Sequence, residues 1–147
     1  MDIWLGNDKI HRMTVARPST LRVELEDWIG VRVYAKYGKF NIGDEQAKYR
    51  LEVGSYSGTA GDSLGTGSGH VLNNMAFSTK DRDNDISSGN CAVTWTGAWW
   101  YRNCQYSNLN GKYLGAKRVN VYNGVRWRKF RDGVSLKYAE MKLRPAF

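Results

Sequence analysis

A chain of 147 residues that is 41% hydrophobic and 24% charged, with two prolines, is typical of one globular domain. This length is enough to bury a sizeable core. No apolar run approaches the roughly 20 residues that span a bilayer, so membrane insertion is not expected. The first residues, MDIWLGNDKI, lack the pattern of a signal peptide, so secretion would require a leader segment removed upstream of this sequence.

The net charge of +8 lies in the last quarter of the chain. Residues 1–111 contain 12 Lys and Arg and 12 Asp and Glu, whereas residues 112–147 contain 10 Lys and Arg and 2 acidic residues. A basic surface suits sulfated glycosaminoglycans or other polyanions, although the same pattern is typical of a solvated edge. Nucleic acid is not favoured, since no nucleic-acid-binding module is visible. The candidate polyanion-binding residues are Arg118, Arg126, Arg128, Lys129 and Arg131.

The N-terminal segment predicts a short helix. Asn7 is a candidate N-cap, and Pro18 should end the helix. Ile10, Met13 and Thr14 have the spacing of one buried helical face.

Strands are predicted over residues 20–26, 31–40 and 49–53. The first of these alternates strictly, with Leu21, Val23 and Leu25 on one face, which is the period of a half-buried strand. Three antiparallel strands covered by the helix would form a core.

Glycine, serine and threonine dominate residues 54–69, where we expect a short helix over 60–64 and otherwise irregular backbone as far as Gly115. A last strand is predicted over 134–143. Long irregular stretches are uncommon inside compact domains, so we expect a metal ion and a disulfide to supply order here.

The two cysteines, Cys91 and Cys104, are 13 residues apart. They are either free thiols of a reducing compartment or one disulfide of an oxidising compartment. We favour the disulfide, because it would hold a segment with little regular structure. A zinc site is not expected, since His11 and His70 lack ligand spacing.

Three aspartates alternate at Asp81, Asp83 and Asp85. Calcium takes roughly six to eight oxygen ligands, so this segment is either a cation site or a solvated acidic loop. The EF-hand pattern is not met, because Ile86 and Ala92 occupy the positions that require glycine and glutamate.

Several segments in the same order and spacing resemble the fibrinogen C-terminal-like domain of ficolins, tachylectins, tenascins, angiopoietins and fibrinogen. They are WLGND (4–8), LEVGSYSGTAGDSL (51–64), FSTKDRDND (77–85), NCAVTWTGAWWYRNC (90–104), NLNGKYLG (108–115) and AEMKLRP (139–145). The resemblance implies an α+β fold, with a central antiparallel sheet and short helices beside a loop-rich calcium-binding subdomain.

The resemblance also implies a division of one shortened domain. The sheet subdomain would comprise about residues 1–69 and the strand 134–143, and the calcium and pocket subdomain about 70–133. The family's usual N-terminal subdomain is missing from this sequence, so we expect apolar surface to be exposed.

The resemblance implies a Ca2+ ion held by the carboxylates of Asp83 and Asp85 and by the backbone carbonyls of Ser87 and Gly89. Asp81 would be an outer charge. It also implies that Cys91 and Cys104 form the family's pocket disulfide.

In lectin-like members the resemblance implies a pocket for acetyl groups beside the calcium loop, with a cis peptide bond that would here be Asn103–Cys104. The implied ligand-binding residues are Trp95, Asn103, Cys104, Gln105 and Tyr122. Gln105 stands where many lectin members have histidine. A fibrinogen-type peptide pocket would instead have acidic residues at Trp95 and Tyr122, so a basic peptide is disfavoured.

Trp99 and Trp100 are predicted to belong to the aromatic core. An enzyme is not expected, because the sequence lacks a nucleophile elbow, a phosphate loop and a nucleophile with a nearby histidine.

The resemblance implies a secreted, calcium-dependent recognition module that binds acetylated glycans in innate immunity. The alternative is an extracellular-matrix or receptor-ligand module that binds sulfated polysaccharides or a cell-surface receptor through the basic surface. A homo-oligomer is compatible with either function, because weak single pockets gain strength by multivalency.

Overall fold

The computed structural model describes residues 3–65 and 71–147. In chain order the elements are helix α1 (Asn7–Ala16), strands β1 (Ser19–Glu26), β2 (Arg32–Ile42) and β3 (Leu51–Gly58), helix α2 (Cys91–Thr94), and strands β4 (Ser107–Asn108), β5 (Arg126–Trp127) and β6 (Tyr138–Pro145). The predictions for His70 and for residues 66–69 lie outside the described residues.

The main sheet has four antiparallel strands in the order β3-β2-β1-β6, and β4 pairs with β5 in a separate ribbon. The predicted alternation in β1 is confirmed, because Leu21, Val23 and Leu25 are almost completely buried. The chain therefore returns at its end to pair with its first strand, as the α+β prediction requires.

Helix α1 forms where the sequence predicts it, but two details differ. Gly6, with φ +98°, occupies the N-cap, a conformation that glycine adopts at little cost. Asn7 is instead the first helical residue and its side-chain oxygen accepts a hydrogen bond from the Trp4 indole at 3.0 Å. Ile10 and Thr14 are buried as predicted, whereas Met13 is 48% exposed. The prediction of a buried Met13 was therefore wrong, because the face that packs on the sheet is narrower than the apolar pattern.

The pairing of β1 with β2 contains a bulge. Ser19 pairs with Phe40 but Leu21 pairs with Tyr37, so β2 has one extra residue between these two pairs. Tyr37 and Phe40 are consequently both buried, although they are three residues apart.

The third and last strands are displaced from their predicted limits. Strand β3 begins at Leu51 because Lys48 and Tyr49 have positive φ, and it continues to Gly58 beside β2. Strand β6 begins at Tyr138 because the preceding residues bond elsewhere, as when Leu136 N donates to Val125 O at 2.9 Å.

The predicted helix over 60–64 is wrong. One oxygen of the Asp62 carboxylate accepts hydrogen bonds from Leu64 N at 3.2 Å and from Gly65 N at 2.8 Å. The same oxygen accepts a 2.7 Å hydrogen bond from the Tyr37 hydroxyl. These bonds close a turn and anchor it to the sheet, which a helix at this position would not allow.

An aromatic cluster connects the sheet to the loop-rich half. Trp99 and Trp100 are fully buried, which confirms their core assignment, and their ring centroids lie 4.9 Å apart. Phe77 and Trp4 pack edge-on against Trp100. The Trp100 indole donates to Tyr49 O at 2.8 Å, so the cluster is fixed in position as well as buried.

Apolar side chains also line a groove of about 650 Å³ between α1, β6 and residues 109–113. At this groove Ile3 is largely exposed, and Leu5 and Met13 are each 48% exposed. Its lining includes none of the predicted site residues. Within the described residues, no helix has the length and apolar character needed to cross a membrane.

Candidate functional site: a carboxylate loop joined to an aromatic pocket

The aspartate loop, which carries Asp81, Asp83 and Asp85, is anchored to the core at both ends. Ser78 forms backbone hydrogen bonds with Trp99, and its hydroxyl accepts from Asn84 N at 3.0 Å. The Asn84 side chain donates to Phe77 O at 2.9 Å, and Ile86 N donates to Arg102 O at 3.1 Å. The loop is therefore a defined turn whose position depends on the aromatic core.

Asp83 and Asp85 lie next to each other in this turn. Asp85 N donates to the Asp83 carboxylate at 3.2 Å, and the two Asp85 oxygens accept from Ser87 N at 2.9 Å and Cys91 N at 3.0 Å. Burial raises the pKa of the Asp85 carboxyl, and the neighbouring Asp83 acts in the same direction. A cation would offset both effects, so this pair suits a hard metal ion.

Asp81 stands apart from that pair. It is exposed, and its carboxylate accepts a hydrogen bond from the Thr79 hydroxyl at 2.6 Å, which lowers the Asp81 pKa. Ser87 and Gly89 lie in the turn that follows, where Gly89 N donates to the Ser87 hydroxyl at 3.2 Å. Among the described residues no group of three or more His, Cys, Asp or Glu forms a metal site. The calcium ligand set that the resemblance implies has only two carboxylates, those of Asp83 and Asp85, and its other ligands are backbone carbonyls and water molecules.

A disulfide joins the aspartate loop to the next segment. Cys91 and Cys104 are bonded, which confirms the predicted pairing. Asn90 caps helix α2, since its side-chain oxygen accepts from Val93 N at 3.1 Å. Its side-chain nitrogen donates to Lys80 O at 3.1 Å. This one-turn helix was not expected from the sequence. The Asn103–Cys104 peptide bond is cis, as the resemblance implied.

The structure brings three of the predicted pocket residues together. The Trp95 and Tyr122 rings meet edge to face with centroids 6.0 Å apart, and Tyr122 is 37% exposed. The Gln105 amide donates to Tyr122 O. Cys104 directly precedes Gln105 in the chain, so the Gln105 side chain connects the disulfide-bonded segment to the Tyr122 backbone. The result is an aromatic wall next to a constrained backbone segment.

Asn108 is a central residue that the sequence analysis missed. It is fully buried, and its amide donates to Trp95 O at 3.1 Å and to Gly124 O at 3.4 Å. Its side-chain oxygen accepts from the Tyr101 hydroxyl, whose pKa is raised by burial. Asn108 thus ties the Trp95 segment to the chain near Tyr122.

Two glycines enclose the Asn108 side chain. A Cβ atom on Gly97 would lie 2.4 Å from the Tyr101 hydroxyl, and one on Gly111 would lie 2.3 Å from Gly124 O. Both added atoms would also lie 2.7 Å from an Asn108 side-chain atom. This close approach requires glycine, and the glycines within WTGAWW (Gly97) and NLNG (Gly111) were the signal that could have indicated a buried asparagine.

The basic residues of the last quarter of the chain differ in their exposure to solvent and in their ion pairs. Arg126 is 5% exposed; it pairs with Asp132 at 2.9 Å, and its guanidinium lies 4.7 Å from the Tyr122 ring centroid. Arg128, 41% exposed, lies 3.6 Å from the other Asp132 oxygen and 4.6 Å from the Tyr106 ring centroid. These two arginines therefore border the aromatic pocket and do not extend freely into solvent.

The other three predicted cations are Arg118, Lys129 and Arg131. Arg131 pairs with the buried Asp27 at 2.9 Å. Burial opposes the Asp27 charge, but hydrogen bonds from Val31 N and from Arg131 outweigh it and lower the Asp27 pKa. Lys129 and Arg118 are exposed. Arg131 is exposed as well, so three of the five predicted cations are exposed, and three of the five take part in ion pairs.

An antiparallel sheet carrying a disulfide-closed loop unit of this kind defines a fibrinogen-like globe domain. The family model for the fibrinogen beta and gamma chains, C-terminal globular domain, matches residues 1–146. The chain belongs to this family. Ryncolin-4 of Cerberus rynchops is 47% identical over 146 residues, covering 98% of this chain and 41% of that protein. Fibrinogen C domain-containing protein 1 of Homo sapiens is 47% identical over 148 residues, covering 97% of this chain and 31% of that protein.

Solved structures agree with the fold. The fibrinogen-like globe domain of human ANGPTL6 matches with a TM-score of 0.87 and 43% identity, covering 97% of this chain and 63% of that chain. The lamprey fibrin D-dimer complexed with the peptide ligand Gly-His-Arg-Pro-amide matches with a TM-score of 0.88 and 36% identity, covering 97% and 50% respectively. The mostly antiparallel α+β prediction is confirmed.

Proposed function

We propose that this domain is an extracellular, calcium-dependent recognition module that binds acetylated glycans. The observation that carries the proposal is the edge-to-face pair of Trp95 and Tyr122, 6.0 Å apart, which the Gln105 side chain connects to the disulfide-bonded Cys104 segment. An apolar wall next to backbone donors is the usual composition of a small-ligand pocket. This composition supports a binding role.

An acetyl group has two parts that need different partners. Its methyl group would pack against Trp95 and Tyr122, and its carbonyl oxygen would accept from the Cys104 backbone N–H. Gln105 contributes by holding Tyr122 through the hydrogen bond from its amide to Tyr122 O. We therefore assign Gln105 a positioning role, in place of the histidine of many lectin members.

Calcium would act on the pocket through the backbone. Asp83 and Asp85 would supply carboxylate ligands, and the carbonyls of Ser87 and Gly89 together with water molecules would complete the shell. Asp85 also accepts from Cys91 N at 3.0 Å, so an ion that fixes Asp85 fixes one end of the disulfide. The disulfide itself supports an oxidising, extracellular location.

The direct test compares N-acetylglucosamine with glucosamine and glucose by calorimetry, in calcium and in chelator. We expect binding of the acetylated sugar alone, in calcium alone, and its loss in Trp95→Ala. Trp28→Ala is a matched control, since Trp28 stacks on Tyr113 and not on the pocket residues. Equal binding of all three sugars, or binding unaffected by chelator, would contradict the proposal.

The arginine-containing peptide of the lamprey complex is a poor model for the ligand here. Trp95 and Tyr122 offer no acidic group to such a peptide.

A second candidate function is binding of sulfated polysaccharides or a cell-surface receptor through the basic surface. The exposed cations Arg118 and Lys129 favour it. Salt elution from immobilised heparin should move to lower concentration in an Arg118→Gln, Lys129→Gln double variant. The control is Lys39→Gln, Arg144→Gln, which removes the same charge from the sheet. Identical elution of both variants and the parent would exclude binding of sulfated polysaccharides through these two cations.

A further inference from the structure

Strand β6 has a free edge. It pairs with β1 on one side, and among the described residues no strand pairs with its other side. The pairing with β1 extends to Ala146, whose N–H donates to Pro18 O at 2.8 Å. Hydrogen bonding alternates along an antiparallel strand, so the residues with even numbers bond to β1. Ala139, Met141 and Leu143 therefore direct their N–H and C=O groups to the free edge.

The face of β6 that lies over the core is only half-covered. Ala139, Met141 and Leu143 are half-buried, whereas the β1 residues that pair with them are almost completely buried. The same three residues line the apolar groove described above, together with the exposed Ile3 and Leu5. A further strand beside β6 would cover this groove and pair with the free backbone groups.

The opposite face of β6 carries charges of both signs. The Glu140 carboxylate accepts a hydrogen bond from the Tyr138 hydroxyl at 2.9 Å and lies 3.2 Å from the Lys142 ammonium group. Lys142 also lies 3.8 Å from Glu24 of β1. A lysine on an edge strand normally opposes pairing with another chain. Here a glutamate precedes the lysine by two residues, so an antiparallel strand of the same sequence would bring a carboxylate to each lysine.

Two copies of β6 are complementary in one antiparallel register. When Met141 lies opposite Met141 of the second copy, Glu140 lies opposite Lys142, and Ala139 lies opposite Leu143. The apolar residues of both strands then share the groove side, and their free N–H and C=O groups bond to each other. A shift of two residues would place Glu140 opposite Glu140 or Lys142 opposite Lys142, and a shift of one would place apolar residues opposite charged ones.

From this complementarity we propose that two copies of the chain associate through β6 and join their four-stranded sheets into one, with a two-fold axis at Met141. The two grooves would adjoin on one side of the joined sheet, and the Glu140–Lys142 pairs would flank the axis on the other. This inference does not depend on the proposed function, because β6 contains none of the predicted pocket residues. It would place two pockets on one particle, which strengthens binding to a repetitive surface.

The association is tested by sedimentation equilibrium of the parent chain and of charge-reversed variants. We expect the parent to have twice the chain mass of 16.7 kDa. Glu140→Lys and Lys142→Glu should each raise the dimer Kd by at least about tenfold, because each places like charges opposite one another at two positions. An equimolar mixture of the two variants should form the dimer again, since each reversed charge then meets its opposite. Lys39→Glu, on β2, is the matched control and should remain dimeric.

A cysteine cross-link tests the register. Met141→Cys should form an intermolecular disulfide under mild oxidation, because directly opposed residues of a hydrogen-bonded pair have Cα atoms about 5.5 Å apart, within disulfide range. Leu143→Cys is the matched control, since its two copies would lie about 14 Å apart along the paired strands. The native cysteines are bonded to each other and do not compete. Electrophoresis without reductant would measure the cross-linked fraction.

Three results would overturn the inference. A parent chain that stays monomeric at every concentration would leave the β6 edge to a strand of different sequence. A dimer that persists unchanged in both single charge reversals would have its interface elsewhere. Equal cross-linking of Met141→Cys and Leu143→Cys would contradict the register, and with it the complementarity on which the proposal rests. Recovery of the dimer in the mixture alone would support the proposal and show that both variants are folded.

Discussion

Replacement of Asn108 by alanine should destabilise the domain far more than its position in an Asn- and Gly-rich loop suggests. The change leaves three groups without their partner: Trp95 O, Gly124 O and the Tyr101 hydroxyl, bonded at 3.1, 3.4 and 2.5 Å. Each buried polar group left unpaired costs about 1–3 kcal/mol, and the longest bond contributes least. We therefore expect a loss of about 3 kcal/mol in the free energy of unfolding.

Urea unfolding followed by tryptophan fluorescence would measure that loss. The corresponding fall in Tm is about 10 °C, because each kcal/mol shifts Tm by about 3 °C in a domain of this size. Asn110→Ala is the control, since Asn110 makes one side-chain hydrogen bond, to Ala98 O at 3.0 Å, and should cost about 1 kcal/mol.

A double-mutant cycle with Tyr101→Phe would show whether the network explains the loss. Because both changes remove the same hydrogen bond, the double variant should lose less than the sum of the single variants. Additive losses, or a loss below about 1 kcal/mol in Asn108→Ala, would refute the view that Asn108 holds the two pocket segments together.

Three further predictions follow from the site and its borders. Gly111→Ala should lower Tm by several degrees, since its Cβ atom would lie 2.3 Å from Gly124 O. Gly89→Ala is the control and should change Tm little, because the added atom meets nothing within 4 Å. Equal effects would contradict the tight packing described around Gly111. Asp83→Ala should lower Tm in calcium and change it little in chelator, with Asp81→Ala as the control; loss in both buffers would mean that Asp83 is structural. Because the pKa of Asp27 is lower in the folded protein than in the unfolded chain, ionised Asp27 stabilises the fold above its unfolded-state pKa, and this stabilisation is lost as pH falls through its folded-state pKa. Asp27→Asn should therefore flatten the decline in stability below about pH 4. Parallel curves of stability against pH for the parent and the variant would contradict this.

The sequence predicted the parts of the fold in which burial follows a regular period. Leu21, Val23 and Leu25 alternate because one face of β1 meets the core and the other does not, and this constraint acts through neighbours in the chain. The predicted helix at 60–64 failed because the Asp62 carboxylate bonds to Tyr37, 25 residues away in sequence. Local propensity carries no information about such a partner.

The site was less accessible to sequence reasoning than the sheet. Trp95, Gln105 and Tyr122 were indicated by family resemblance, because nothing in their spacing shows that they meet. Asn108 was missed, since a buried asparagine and a solvated one look alike in a polar loop. Arg126 resembled a solvated cation for the same reason, although it is buried beneath Tyr122 and paired with Asp132. Polar residues need their tertiary partners before their burial can be inferred.

The connections between the aspartate loop and the aromatic pocket predict which part of the domain loosens first when calcium is removed. The aspartate loop reaches the pocket through three links: Asp85 to Cys91 N, Ile86 N to Arg102 O, and the disulfide from Cys91 to Cys104. None of these links passes through the four-stranded sheet. If calcium binds at Asp83 and Asp85, its removal should loosen the Cys104 segment while the sheet stays folded. Hydrogen exchange in chelator should therefore increase at residues 83–91 and 102–105 and remain slow in β1 and β2. Uniform loss of protection would instead mean that the ion stabilises the whole domain and has no specific connection to the pocket.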